Sequence, residues 1–311
     1  LLSAPPLAFL RINGALANAM RRFSLGYLPD ILARPLLLLG LIGMLTILYP
    51  DFGLLTILVG YILIALALAS WQMVRLSRSF TSAPPKQPPA PGQKRQWLVQ
   101  SLNIMPGTIF VMVFGDITLL IAGMFLESAD IGIFGVAMRM SLLVAFAIHT
   151  VQQIAVRDIA DAVDQNAFEK LAQSLQRVNL LNTILAIAGI VFAIIFGKFV
   201  LSIFGPGFTT GYISLIILMA AQLVRALTGP TLQMIALTAL ERASLPAFAA
   251  GFLALAVSSA ILIPVWGLVG AALAVLLSTS SWSLCLVILL WRRTGINVSL
   301  FSRPAAAPPG N

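Results

Sequence analysis

Residues 113–140 read VFGDITLLIAGMFLESADIGIFGVAMRM. Two apolar runs meet at the short turn LESAD (126–130), and with their continuations they cover 98–124 and 131–156. Each run is long enough to cross about 30 Å of hydrocarbon at about 1.5 Å per helical residue. Each also carries a charge, Asp116 in the first and Arg139 in the second. A charge at such depth is costly unless it meets a partner or water. The turn makes the two helices an antiparallel hairpin. Asp116 lies eight residues before the end of its helix and Arg139 eight residues into the next. The spacing therefore puts both about 12 Å from the outer end. It predicts that they pair, directly or through water.

Further runs of this kind occupy 29–49, 53–75, 178–198, 211–239, 244–264 and 267–291, so the chain holds eight in all. None shows the period-2 alternation of a membrane barrel. The chain is 59% hydrophobic and 9% charged, whereas soluble domains average about 25% charged residues. The fold class is therefore all-α integral membrane, with about eight transmembrane helices. The single cysteine, Cys285, excludes an internal disulfide. The net charge of +9 does not indicate a nucleic-acid partner, because the basic residues lie mostly between apolar runs.

Those basic residues set the orientation. Arg11, Arg21 and Arg22, then Arg75 through Arg95, Arg157 through Arg177, Arg242, and Arg292 through Arg303 all fall on one side. The opposite turns near 50–52, 125–130, 199–210 and 265–266 carry no Lys or Arg, with Lys198 bordering one. The positive-inside rule then places both ends in the cytoplasm.

Five regions follow. Residues 1–28 form a cytoplasmic N-terminal segment and 29–75 two membrane helices. Residues 76–97, containing TSAPPKQPPAPGQKRQ, form a proline-rich cytoplasmic linker. Residues 98–295 form a six-helix lobe, and 296–311 a disordered cytoplasmic tail. Within the lobe, RDIADAVDQNAFEKLAQSLQR (157–177) spaces apolar residues at helical intervals among charges. It reads either as an amphipathic helix on the inner surface or as extensions of its neighbours.

Arg225 is the third membrane charge. It falls within GYISLIILMAAQLVRALTGPTLQMIALTAL (211–240), which has no acid, and shares a helical face with Ser214, Gln222 and Gly229. Arg139 likewise shares a face with Thr150 and Gln153. Two arginine-bearing polar stripes suit an aqueous cavity of positive potential that holds phosphate-like anions. The candidate substrate-cavity residues are thus Arg225, Arg139, Asp116, Gln222, Gln153, Thr150 and Ser214. The alternative for Arg225 is a bond to carbonyls freed at a kink, which Gly229-Pro230 predicts. His149, the only histidine, reads either as a protonatable coupling group or as a packing residue; it sits off the Arg139 face and is assigned to helix packing. No metal-ligand cluster, catalytic constellation or nucleotide loop is present, since Gly197-Lys198 lacks the glycine and hydroxyl such a loop needs. No cofactor is expected, and the chain does not read as an enzyme.

Several segments resemble the polysaccharide transporter (oligosaccharide, O-antigen-type flippase) family of the multidrug/oligosaccharidyl-lipid/polysaccharide exporter superfamily. GDITLLIAGMFLESADIGIFGVAMRM is similar to its aspartate helix, turn and G-x-[YF]-x-x-A-x-R helix. VLSIFGPGFTTG is similar to its outer FG-x-x-F segment, and LTGPTLQMIALTALERA to its Gly-Pro helix. ILIPVWGLVGAALAVLLS resembles its last core helix, and LRINGALANAMRRFSLGYLPDILARPLLLL its loop before helix five. Pro206-Gly207 departs from the family, many of whose members carry an acid there.

The resemblance covers nearly all of residues 7–295. It implies that the chain holds helices 5–12 of a two-lobe alternating-access transporter, with four helices ahead of residue 1. It further implies a monomer in the bacterial inner membrane that moves a lipid-linked oligosaccharide, such as a polyprenyl-diphosphate-linked lipopolysaccharide precursor, across the bilayer. Coupling to H+ or Na+ is left open. A multidrug antiporter of the same fold and a membrane polysaccharide polymerase or ligase are the alternatives. The first would call for unpaired acids in the cavity and the second for a long outer loop.

Overall fold

The computed structural model describes residues 4–20, 22–49, 53–80, 93–165, 167–296 and 298–299. Among them there is no strand, and ten helices follow one another along the chain. Six helical segments are long and apolar enough to cross a membrane, and the 15-residue Arg34–Leu48 is a shorter apolar one. Their outer faces carry exposed apolar side chains such as Ile47 (81%) and Ile154 (75%), whereas Asn182 and Ser278 are wholly buried. That inversion of the soluble pattern is the mark of a lipid-facing bundle, whose helices meet through small and polar residues. The protein is a multi-pass, all-α membrane protein.

The chain divides into two compact units, 1–90 and 91–311. In the first, α1 (Ala4–Ala19) and α2 (Phe23–Leu28) precede a single π-helical turn at Pro29–Ala33, from which α3 (Arg34–Leu48) continues into α4 (Leu54–Phe80). The N-terminal segment is therefore helical where a loop was expected. Leu10, Asn13 and Ala17 of α1 are buried, as are Ala65, Ala69, Gln72 and Leu76 of α4. Both sets recur at helical spacing and form facing stripes. Asn13 Nδ2 donates to the Ala69 carbonyl at 3.0 Å, and Gln72 Nε2 donates to the Leu25 carbonyl at 2.8 Å. Asp30 lies 3.2 Å from Arg34 and 4.0 Å from Arg11.

The second unit begins with α5 (Gln93–Ala122). Residues 76–80 and 93–97, expected in the linker, are thus helical, and the rest of that stretch, 81–92, lies outside the described residues. The hairpin of α5 and α6 (Ser128–Asp164) has the register that the sequence predicts. A Cβ placed on Gly123, Gly135 or Gly115 would lie 3.4, 3.8 or 3.7 Å from Ile131, Leu119 or Met138. Segment 157–177 joins the flanking helices: α6 runs on to Asp164, and α7 (Phe168–Ile203) starts three residues after Gln165. Buried Ile159, Ala162, Leu171 and Leu175 give that junction an apolar core.

After a 3-10 turn at Pro206–Gly211 come α8 (Tyr212–Thr228) and α9 (Thr231–Leu237). They are separated where the Gly229-Pro230 kink was expected. Gly229 has φ 75° and ψ −168°, a region open essentially to glycine alone. The 54-residue α10 (Glu241–Thr294) is continuous except at Gly267 (φ 51°, ψ −124°). Straight, it would measure about 80 Å, far more than a bilayer. Instead it folds back on itself. A Cβ on Gly270 would overlap the Leu262 carbonyl, and Ser278 Oγ donates to the Gly251 carbonyl at 2.7 Å. Hydropathy predicts the two arms of α10, 244–264 and 267–291, as separate runs.

The tail departs from expectation at its start. Val298 is wholly buried, and its carbonyl accepts from Asn179 Nδ2 at 2.8 Å. Residues 300–311 lie outside the described residues.

Candidate functional site

The break at Gly229 gives Arg225 its surroundings. Because α8 stops at Thr228, Arg225 occupies the last turn, about 20 Å along the helix from Tyr212. The negative end of the helix dipole favours a cation there. The side chain is half-buried, with its guanidinium carbon 5.9 Å from the centre of the Trp282 ring. Trp282 belongs to an aromatic cluster with Phe110 and Phe248, at centroid distances of 5.7 and 6.3 Å. None of the ion pairs among the described residues involves Arg225.

Arg225 lines a cavity of about 400 Å³ inside the second unit, within the roughly 300–1,000 Å³ of small-molecule sites. Helix α6 contributes His149, Gln152 and Gln153, α9 contributes Gln233, and α5 contributes Asn103. Glu241 and Ser244 come from the start of α10, and Phe248 supplies apolar wall. Gln153 Nε2 is hydrogen-bonded to His149 Nε2 at 3.2 Å, and Gln233 Nε2 donates to Gln152 Oε1 at 3.2 Å. Arg242 Nε donates to Asn103 Oδ1 at 2.7 Å, tying α5 to the start of α10. Behind Arg225 lies a nook of about 10 Å³, bounded by Gln152, Gln233, Thr228, Trp282 and Ser283. Such a wall offers one permanent cation, two titratable groups and four carboxamides. These groups suit the binding of a polar ligand.

Of the seven candidate residues, Arg225 and Gln153 line this cavity. Ser214 and Gln222 are buried at 0% and 7% exposure on the packed face of α8. Their stripe is spent on helix packing, a common use of small polar residues between membrane helices. Thr150 is exposed, and its hydroxyl donates to the Phe146 carbonyl at 2.9 Å within its own helix.

The expected Asp116–Arg139 pair is not formed. Both residues are exposed, and neither takes part in an ion pair among the described residues. Depth is not the reason, because Gly115 lies opposite Met138. The helices instead turn Ala137 and Met138 into the core, which rotates Arg139 away from α5. His149, assigned to packing, lines the cavity. Gln152, Gln233, Asn103 and Glu241 were missed. The Gln152–Gln153 doublet, a rare polar pair inside an apolar run, was the available signal.

No family model matches the chain, and no solved structure matches it. A curated protein from Haloferax volcanii named probable flippase AglR is 29% identical over 182 residues, covering 57% of this chain and 38% of that protein. The chain thus spans well under half of that relative's length.

Proposed function

We propose that this chain acts in a membrane flippase or exporter that carries a polyprenyl-diphosphate-linked oligosaccharide for cell-surface polysaccharide synthesis. The observation that carries the reading is Arg225: a half-buried guanidinium, free of any carboxylate partner among the described residues, on a 400 Å³ cavity in an apolar helical bundle. Guanidinium suits a diphosphate because its planar fork bonds two oxygens at once. The polyprenyl tail can stay in lipid while the charged head crosses through the protein. Similarity to a protein named a probable flippase supports the same reading.

In this reading residues 29–75 belong to one lobe and 98–295 to the other, and transport proceeds by alternating access. Both ends of the chain lie in the cytoplasm, and the membrane is a bacterial inner membrane. His149 and Glu241, on the same cavity as Arg225, are the groups through which H+ or Na+ would couple to transport.

The test is complementation. The gene, with any upstream region it needs, is expressed in cells lacking their own flippase, and surface glycan is scored against membrane abundance. Arg225→Ala is expected to abolish surface glycan at normal abundance, and Arg225→Lys to retain part of it. Full surface glycan with Arg225→Ala removes the residue, and with it this reading.

A further inference from the structure

A diphosphate presents only acceptors and negative charge, and asks for donors and cations. The Arg225 cavity supplies one arginine and four carboxamides, Asn103, Gln152, Gln153 and Gln233. A carboxamide offers an acceptor oxygen beside its two N–H donors, a poor match to an anion. It is a good match to a hydroxyl, which donates and accepts together. The wall next to Arg225 therefore has the wrong composition for more phosphate and the right one for a neutral polyhydroxyl ring.

The nook behind Arg225 sharpens this. Its volume of about 10 Å³ is that of one hydroxyl-sized group. Three polar atoms of the residues that line it make no hydrogen bond within the described residues: Gln233 Oε1, Trp282 Nε1 and Ser283 Oγ. Trp282 and Ser283 are only 5% and 1% exposed. Buried polar atoms are almost always paired, and a donor and two acceptors left open beside one small recess suit a group that both donates and accepts. It must accept from the indole N–H and donate to the amide oxygen or the serine. A hydroxyl does both.

We infer that this recess and the Gln152–Gln233 pair form a sugar subsite, which reads one hydroxyl of a neutral sugar ring lying in the cavity beside Arg225. Its place next to the diphosphate-linked position rests on the flippase reading; the recognition of a sugar does not. The division of labour is explicit. Arg225 addresses the anionic group, and Gln233, Ser283 and the Trp282 indole N–H address the ring. A site built to bond a hydroxyl discriminates strongly against an analogue lacking it, because its own buried atoms are then left unpaired.

The purified protein in detergent is titrated calorimetrically with two soluble neutral oligosaccharides, chitobiose and maltotriose, and separately with sodium pyrophosphate. At least one sugar is expected to bind saturably. Ser283→Ala and Gln233→Met should each weaken it by about tenfold, the loss of one hydrogen-bonding partner, and leave pyrophosphate binding unchanged. Arg225→Ala should weaken pyrophosphate. Where Gln233→Met lowers the yield of folded protein, Ser283→Ala removes a single oxygen and decides alone. Sugar affinity unchanged in these variants overturns the subsite, as does pyrophosphate binding when neither sugar binds. Sugar binding that tracks Ser283, in a protein that moves no polyprenyl-diphosphate-linked oligosaccharide in proteoliposomes, counts against the flippase reading and for the subsite.

Discussion

Asn179 Nδ2 donates to the Val298 carbonyl oxygen at 2.8 Å, across 119 residues of sequence. The bond ties α7 to the segment that leaves α10, and both partners meet over the break between α8 and α9. A Cβ on Gly229 would lie 2.7 Å from Asn179 Oδ1 and would overlap the Val298 oxygen. The break that exposes Arg225 is thus held from outside by the chain's last described residues.

Gly229→Ala should accordingly destabilise the protein by about 1–3 kcal/mol from backbone strain alone, with the overlap at Val298 adding to it. Thermal unfolding in detergent measures this. Asn179→Ala should lower the midpoint in the same direction, since Val298 is buried and would lose its donor. An unchanged midpoint in Gly229→Ala would argue against the positive-φ break at this residue.

Asp116 and Arg139 give the opposite kind of test. With both exposed and unpaired, Asp116→Asn and Arg139→Gln should act additively on stability, with a coupling below about 0.5 kcal/mol. Exchanging the two charges should rescue nothing. Coupling well above that value would restore the pair that the helix rotation denies.

The α10 hairpin depends on Gly251. A Cβ there would lie 2.8 Å from Trp282 Cβ, and its carbonyl accepts from Ser278. Gly251→Leu should cost about 1–3 kcal/mol as an overpacking change. It should also disturb the Arg225 cavity, because Trp282 is the partner displaced. Intrinsic fluorescence compared with a Trp282→Phe control reads that movement; wild-type stability and fluorescence in Gly251→Leu would argue against the hairpin packing.

Orientation is tested by labelling. Cysteines placed at Ser128 and Pro206 should react with an impermeant thiol reagent added outside intact cells, and one at Arg293 should not. The reverse pattern would invert the reading of the positive residues.

The sequence by itself determined the class and the linear plan. Apolar runs of bilayer length specify membrane helices, because lipid leaves backbone groups no other partner than the helix. Pro230 and Gly229 mark their own break for the same local reason, and the LESAD turn fixes the hairpin register. Arg225 was legible too, as a lone charge in a long apolar run. What the sequence could not supply was azimuth. Met138 and Arg139 are neighbours in sequence but about 100° apart around their helix, and only packing decides which of them faces α5. The same holds for the cavity. His149, Gln152, Gln233, Asn103 and Glu241 come from four different helices. Helical periodicity orders side chains around one axis and says nothing of which axes lie side by side. Ser214 and Gln222 share a stripe with Arg225, yet α8 turns them into its packed face. Tertiary packing alone separated the polar residues that hold the bundle from those that line the cavity.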